Sequence, residues 1–288
     1  MKLLLLGKTG QLGWELQRTL QPLGEVVALD YPEINMADAA SIRTTVQEHC
    51  PELIVNATAY TSVDKAESEP ELTEAINGTG PGVLAEEAHK LNAELVHFST
   101  DYVFDGKKGA PYIETDRPNP LNVYGSSKLH GEQAIRQVGG TYLIFRTSWV
   151  YSLRQQGGFV GKVLQWSRQQ ETLRIVADQI SNPTWARMLA EITSHVLARG
   201  EKYIHERAGL YHLCGDGSTS RFEWARLILQ LDPNGHEQLT KELLPVMTSE
   251  FPTPALRPLF SGLDCSLFKQ TFNLKLSSWQ DALRLAIS

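Results

Sequence analysis

The sequence predicts an α/β protein: a doubly wound parallel sheet with a smaller, interleaved C-terminal lobe. Three observations carry this expectation. Short apolar runs alternate with segments of helical period through the first half, a glycine-rich turn joins the first run to the first helical segment, and the alternation loosens after about residue 150. Runs that are apolar throughout suit strands buried on both faces, which is what helical crossovers on either side of a parallel sheet produce.

The strand-like runs are 2–7 (KLLLLG), 25–30 (EVVALD), 52–58 (ELIVNAT), 94–100 (ELVHFST) and 141–151 (TYLIFRTSWVY). Between them, Leu12, Leu16 and Leu20 fall on one helical stripe, and 41–49 and 81–91 are amphipathic. In the second half QQGGF (155–159) reads as a flexible connection, followed by a helix to about 169 and a strand at 173–179. NPT (182–184) leads into a helix ending near 198, GLYHLCG (209–215) is strand-like, and 218–231 is a helix with a Ser/Thr start. The proline-rich EFPTPALRP (250–258) is a constrained loop, and SSWQDALRLAI closes the chain as a helix.

The chain has 288 residues, 42% hydrophobic and 21% charged, with a net charge of −6 and no basic run. That balance fits a soluble globular protein and argues against nucleic acid or a charged membrane surface as partner. The apolar run 3–6 is too short for a secretory segment, and nothing approaches the roughly 18 apolar residues of a membrane span. Three scattered cysteines, Cys50, Cys214 and Cys265, fit a reduced cytoplasmic setting.

GKTGQLG places Gly7, Gly10 and Gly13 between the first strand and the first helix. Residues without a Cβ allow a tight turn, and the free N–H groups at the helix start suit a pyrophosphate. Asp30, ending the second strand, is placed to accept the adenosine ribose hydroxyls. The spacing is G-x-x-G-x-x-G, and the whole makes a Rossmann-like dinucleotide site. Asp30 repels a 2′-phosphate while Lys8 attracts one, so NADPH and NADH both stay open. The small residues Ala57, Ala59 and Thr61 after the third strand let a flat cofactor approach the backbone. Residues 1–150 are accordingly read as a dinucleotide-binding domain with a return at about 170–205, and 151–288 as mainly a substrate-binding lobe.

The fourth strand ends with Ser99, Thr100 and Asp101 at the carboxyl edge of the sheet, where ligands of parallel sheets bind. Tyr124 and Lys128 follow one helical turn apart behind RPNPLN. These are the parts of a carbonyl reduction. Tyr124 gives a proton to the forming alkoxide, Lys128 lowers the phenol's pKa, and Thr100 fixes the substrate oxygen.

On these motifs, together with NATAYTSVDKAESEP, FSTDYVFDG, PLNVYGSSKLHGE, FRTSWVY, DQISNPT and FPTPALRP, the chain resembles the dTDP-4-dehydrorhamnose reductase family of extended short-chain dehydrogenase/reductases almost end to end. The resemblance implies reduction of the 4-keto group of dTDP-4-dehydro-6-deoxy-L-mannose to dTDP-L-rhamnose for the cell envelope, with NADPH or NADH. It implies catalytic roles for Tyr124, Lys128 and Thr100. It implies cofactor contacts at Gly7, Thr9, Gly10, Gln11, Leu12, Asp30, Asn35, Met36, Ala57, Ala59, Tyr60, Thr61 and Phe98, besides Tyr124 and Lys128. Thr100, Asp101, Tyr102, Trp149 and Arg257 would face the substrate, Arg257 as a pyrophosphate clamp.

Several positions depart from the family pattern. Asn35 replaces an acidic residue, Ser181 and Asn182 replace a Gly-Ala type pair, and Gly158 replaces an asparagine. Some relatives bridge dimers with Mg²⁺ through glutamates. Glu15 is retained, but Arg187 takes a second ligand position and the chain ends at Ser288 before the third, so no metal and a monomer rather than a metal-bridged dimer are expected. A sugar-nucleotide 4,6-dehydratase would need an acid where Tyr102 stands, and a 4-epimerase is opposed only by the whole-chain likeness. A non-catalytic regulatory subunit, a role another member of the family serves, is the alternative outside catalysis.

Overall fold

The structure is a computed structural model describing residues 1–154 and 158–288, so residues 155–157 of the expected flexible connection lie outside the described residues. Six parallel strands form the central sheet: β1 (Lys2–Leu6), β2 (Glu25–Leu29), β3 (Leu53–Asn56), β4 (Glu94–Thr100), β5 (Tyr142–Thr147) and β6 (Gly209–His212). Their spatial order is 2-1-3-4-5-6, which reverses direction between β1 and β3. The main helices are α1 (Gln11–Thr19), α2 (Ala39–His49), α3 (Gly80–Leu91), α4 (Val123–Val138), α5 (Phe159–Ser167), α6 (Ala186–Leu197), α7 (Arg221–Leu231), α8 (Ser266–Phe272) and α9 (Trp279–Ile287).

The all-leucine run of β1 has a direct structural cause. Leu3 and Leu5 point into one core with Leu16 of α1, Leu189 of α6 and Phe268 of α8. Leu4 and Leu6 point into the opposite core with Ile42 of α2, Leu84 of α3 and Ile135 of α4. Period-two geometry sends neighbours to opposite faces, and both faces are covered, so every position must be apolar. Cys214 and Cys265, far apart in sequence, meet in the first of these cores as free thiols with sulfurs 3.2 Å apart.

A third core, built around Trp224, gathers Tyr151, Val160, Val163, Ile228, Trp279 and Leu283. Thr172–Val176 pairs in parallel with Glu242–Val246 beside this core rather than joining the main sheet. α6 instead packs back on α1, where the Ser194 hydroxyl donates to the Thr19 carbonyl at 2.5 Å. The long strand expected at 141–151 is broken. β5 stops at Thr147, Trp149 takes a left-handed backbone (φ 40°), and Val150–Tyr151 pairs with Thr184–Trp185. The chain thus leaves the main sheet at the carboxyl edge.

Two local devices place α4. Asn122 caps it by accepting from Gly125 N–H at 2.8 Å, and Gly125 lies so close to the turn after β4 that a Cβ would meet the Tyr102 carbonyl oxygen at 2.2 Å. Only glycine lets the first turn of α4, which carries Tyr124, press against that edge.

Candidate active site

A groove runs across the carboxyl ends of β1 and β3, where the strand order reverses and ligands of open parallel sheets bind. It has two chambers sharing Gly10, Ala57, Thr58 and Ala59. The outer chamber, about 310 Å³, is lined by Gly7, Thr9, Asp30, Asn35, Met36 and Ile76 among others. The inner one, about 400 Å³, includes Gln11, Leu12, Thr61, Phe98, Thr100, Asp101, Tyr124, Lys128 and Trp149.

The glycine turn is built by contact. Gly7 has φ 89°, and a Cβ on Gly13 would meet the Gly7 carbonyl oxygen at 1.9 Å. Gly10 precedes α1 with no side-chain cap, which leaves the first helical N–H groups open to an anion. Asp30 accepts from Thr9 N–H at 3.0 Å and from the Thr9 hydroxyl at 2.6 Å, so its carboxylate is pinned at the chamber wall. Lys8, read as a counterweight to Asp30, instead pairs with Glu33 at 2.5 Å. In the inner lining, Gln11 Oε1 and Thr147 Oγ1 are buried with no hydrogen-bond partner. Two chambers joined at a glycine turn, a pinned carboxylate at one end and orphaned acceptors at the other fit a dinucleotide.

The reacting end is held together by long-range polar contacts. Thr100 Oγ1 accepts from Tyr102 N–H and donates to Asp101 Oδ1, both at 3.1 Å. Asp101 Oδ2 accepts from the Ser181 hydroxyl at 2.9 Å and the Ser261 hydroxyl at 2.5 Å. The carboxyl is buried, and burial raises it to about 6 against the pull of the three hydroxyls. Tyr124 lines the chamber with its ring edge-on to Tyr102, centroids 5.8 Å apart.

The structure corrects one expectation about Tyr124. Burial pushes its phenol up rather than down, with only the Thr100 hydroxyl working the other way. Lys128, 1% exposed, spends its contacts elsewhere, donating to the Phe98 carbonyl at 2.6 Å and meeting His97 Nε2 at 3.1 Å. Burial lowers the Lys128 ammonium to about 8, opposed by Glu132. Glu132 itself is bound by Arg146 (2.6 and 2.9 Å) and by the Ser99 hydroxyl, making a buried ion pair under the floor of the chamber.

Not every expected residue reaches the groove. Arg257 grips Asp64 with both arms, at 2.9 and 2.6 Å, and lines neither chamber, so its donors are engaged where a pyrophosphate clamp was expected. The Tyr60 hydroxyl donates to Glu69 at 2.5 Å, and Tyr102 is buried edge-on to Tyr124. Trp149 does wall the chamber and stacks on Trp224, centroids 5.6 Å apart. Over its ring, at 4.3 Å, lies the guanidinium of Arg221, whose Nε donates to Gln179 at 3.0 Å. Sequence reasoning missed Arg221, Asn56, His97, Ser261 and the Glu132–Arg146 pair. A signal did exist for one of them, since His97 is an ionisable residue between Val96 and Phe98 in the middle of a strand.

Near Glu15, Arg187 bonds Glu191 at 2.8 Å, and among the described residues no group of three or more His, Cys, Asp or Glu is arranged to hold a metal ion. Gly158 starts α5 without a side-chain cap. Among the described residues no helix is long and apolar enough to cross a membrane.

Against known proteins, the family model described as the RmlD substrate binding domain matches residues 1–288. The chain belongs to the RmlD, or dTDP-4-dehydrorhamnose reductase, family. A dTDP-4-dehydrorhamnose reductase of Burkholderia thailandensis is 40% identical, with 100% of this chain and 98% of the relative covered. Among solved RmlD-family structures, a dTDP-4-dehydrorhamnose reductase from Clostridium acetobutylicum matches with TM-score 0.92 and 33% identity, over 100% of this chain and 98% of that one. The enzyme from Bacillus anthracis, solved with NADP, matches with TM-score 0.90 and 32% identity, over 99% and 98%.

Proposed function

We propose that this RmlD-family chain is a dTDP-4-dehydrorhamnose reductase. It uses NADPH or NADH to reduce the 4-keto group of the dTDP-linked sugar, in the cytoplasm and in service of cell-envelope polysaccharide synthesis. The observation that carries the reading is the convergence of Thr100, Tyr124 and Lys128 on the inner chamber of a groove shaped for a dinucleotide.

Gly7, Gly10 and Gly13 would hold the pyrophosphate, Asp30 the adenosine ribose, and Phe98 with Lys128 the nicotinamide half. A bound nicotinamide supplies the hydride. The protein supplies the proton and the geometry. Tyr124 donates its O–H to the carbonyl oxygen as negative charge gathers there, and its raised pKa keeps the proton in place until that moment. Thr100, which lines the same chamber and accepts from Tyr102 N–H, would fix the angle of the substrate oxygen. Ser181 and Ser261 fix Asp101, and through it the Thr100 hydroxyl. Trp149 and Arg221 would wall the sugar, and the Trp224-centred lobe within 151–288 would cover it. An oxidoreductase is favoured over a dehydratase because the position after Asp101 carries Tyr102, a phenol buried edge-on to Tyr124 and no base for a ring proton.

Purified protein should oxidise NADPH or NADH only when the dTDP-4-keto sugar is present. Tyr124→Phe should lower kcat by about 100-fold or more. A full rate in that variant removes Tyr124 from its role, and no rate in the unaltered chain removes the function.

A further inference from the structure

Beneath the groove lies a buried polar chain, Thr58–Asn56–His97–Lys128, whose hydrogen-bond directions can be assigned from one end. Asn56, closing β3 and 1% exposed, accepts at Oδ1 from Thr58 N–H at 3.0 Å and from the Thr58 hydroxyl at 2.5 Å. A backbone N–H only donates, so the amide oxygen must face Thr58 and the amide nitrogen must face His97. That nitrogen lies 3.1 Å from His97 Nδ1. An amide NH₂ also only donates, so Nδ1 is the bare nitrogen of the ring.

His97 is fully buried, and burial holds it well below its ordinary pKa, with Lys128 acting in the same sense. A neutral ring carries one proton, and with Nδ1 bare that proton is on Nε2. Nε2 in turn lies 3.1 Å from Lys128 Nζ. An ammonium has three donors and no acceptor, so it would meet the His97 N–H donor to donor. A neutral amine has a lone pair that accepts this N–H and still donates to the Phe98 carbonyl at 2.6 Å.

We propose that Asn56 and His97 are positioning residues that set the charge of Lys128: Asn56 fixes His97 as its Nε2–H tautomer, and that N–H holds Lys128 as an amine in the free chain. Of the other titratable groups around Lys128, Glu132 favours the ammonium against burial, but its charge is shared with a partner. Glu132, one turn further along α4, is bound by Arg146 of β5 and by Ser99; Asp101 is held by hydroxyls; Tyr124 is a neutral phenol. Burial already depresses the Lys128 ammonium to about 8, and the facing N–H adds to it.

Resting on the reductase reading, the same arrangement gives Lys128 a part in turnover. The phenolate that Tyr124 becomes on giving its proton to the alkoxide is favoured by an ammonium at Lys128 and not by an amine, so the Lys128 titration should appear in the rate.

The tautomer is read without any turnover. In the full-length, ligand-free chain labelled with ¹⁵N-histidine, long-range ¹H–¹⁵N correlations at pH 7 should show His97 with Nε2 protonated and Nδ1 bare, the signals assigned by their loss in His97→Gln. A proton on Nδ1, or on both nitrogens, overturns the proposal in the unaltered protein. In Asn56→Asp, one carboxylate oxygen keeps the Thr58 bonds and the other accepts from Nδ1–H, which moves the ring proton and leaves Nε2 to accept from an ammonium. The Lys128 titration, followed by its ε-methylene carbon shift, should then rise by about one unit. The matching limb of the kcat–pH profile should move with it while KM for the sugar nucleotide stays within about twofold. A switched tautomer with an unmoved Lys128 titration refutes the coupling. The expected tautomer and titration in a chain without reductase activity uphold this inference and refute the reductase reading.

Discussion

The two ends of the groove are built in opposite ways. The outer end is made by backbone: a left-handed Gly7, a Gly13 with no room for a Cβ, and Asp30 pinned by its near neighbour Thr9. The inner end is made by side chains from distant segments, with Asp101 held from Ser181 and Ser261 and Lys128 held from His97. At the outer end charged groups are paired near solvent, as Lys8 is with Glu33. At the inner end they are buried, and burial is the largest influence on Asp101, Tyr124 and Lys128 alike. Binding needs a shape, which a local turn can provide. Proton transfer needs shifted acidities, which only a desolvated network can provide.

The sharpest way to break the inner end alone is to unbalance its ion pair. Glu132→Ala leaves the Arg146 guanidinium, 3% exposed, buried without its partner. Stability should fall by about 3–5 kcal/mol in denaturant unfolding, enough to abolish activity, whereas a change under 1 kcal/mol would show the pair to be dispensable. The outer end breaks through shape. Gly13→Ala forces a methyl into the Gly7 carbonyl, so affinity for NADPH, read by fluorescence titration, should drop by about tenfold or more with a strain cost of about 1–3 kcal/mol.

A gentler change sharpens the contrast. Asp30→Ala removes the carboxylate that repels a 2′-phosphate, and the ratio of kcat/KM for NADPH over NADH should rise by about tenfold, with kcat itself little altered. The smallest effect concerns Asp101. Its folded pKa of about 6 lies above the ordinary 3.8, so the folded chain holds this proton more tightly than the unfolded chain does. The group therefore adds stability as pH falls from above 6 toward 3.8, and its ionised form costs stability at pH 7. Activity runs the other way, because a protonated Asp101 is a poorer acceptor for Thr100. A rate lowered by about half at pH 6, in a limb absent from Asp101→Asn, is the expected outcome.

What the sequence disclosed follows the same division. The parallel sheet was readable because β1 is leucine on both faces, and the glycine turn because its chemistry lies within seven consecutive residues. Tyr124 and Lys128 were readable as a pair because a helical turn is a local ruler. Their acidities were not. The lowering expected for Tyr124 came from Lys128 and the positive ring of an oxidised nicotinamide, whereas desolvation and the competing contacts of Lys128 with Phe98 and His97 are set by strands far away in the chain. The Arg257–Asp64 pair was not legible for a related reason, since Asp64 is distant in sequence and adjacent in space. The break in the strand at Trp149 left no periodic trace, because the apolar run continues through it into a different pairing.

The bond between Ser261 and Asp101 spans 160 positions of the chain. During synthesis the amino-terminal part emerges and condenses first, so the glycine turn and sheet strands β1 to β5 exist while Ser261 has yet to be made. A ribosome-bound chain thus carries every segment of the nucleotide cradle before the last tether of Asp101 is made. A premature stop between β5 and codon 261 would leave out that tether together with α8, whose Phe268 shares the core of β1.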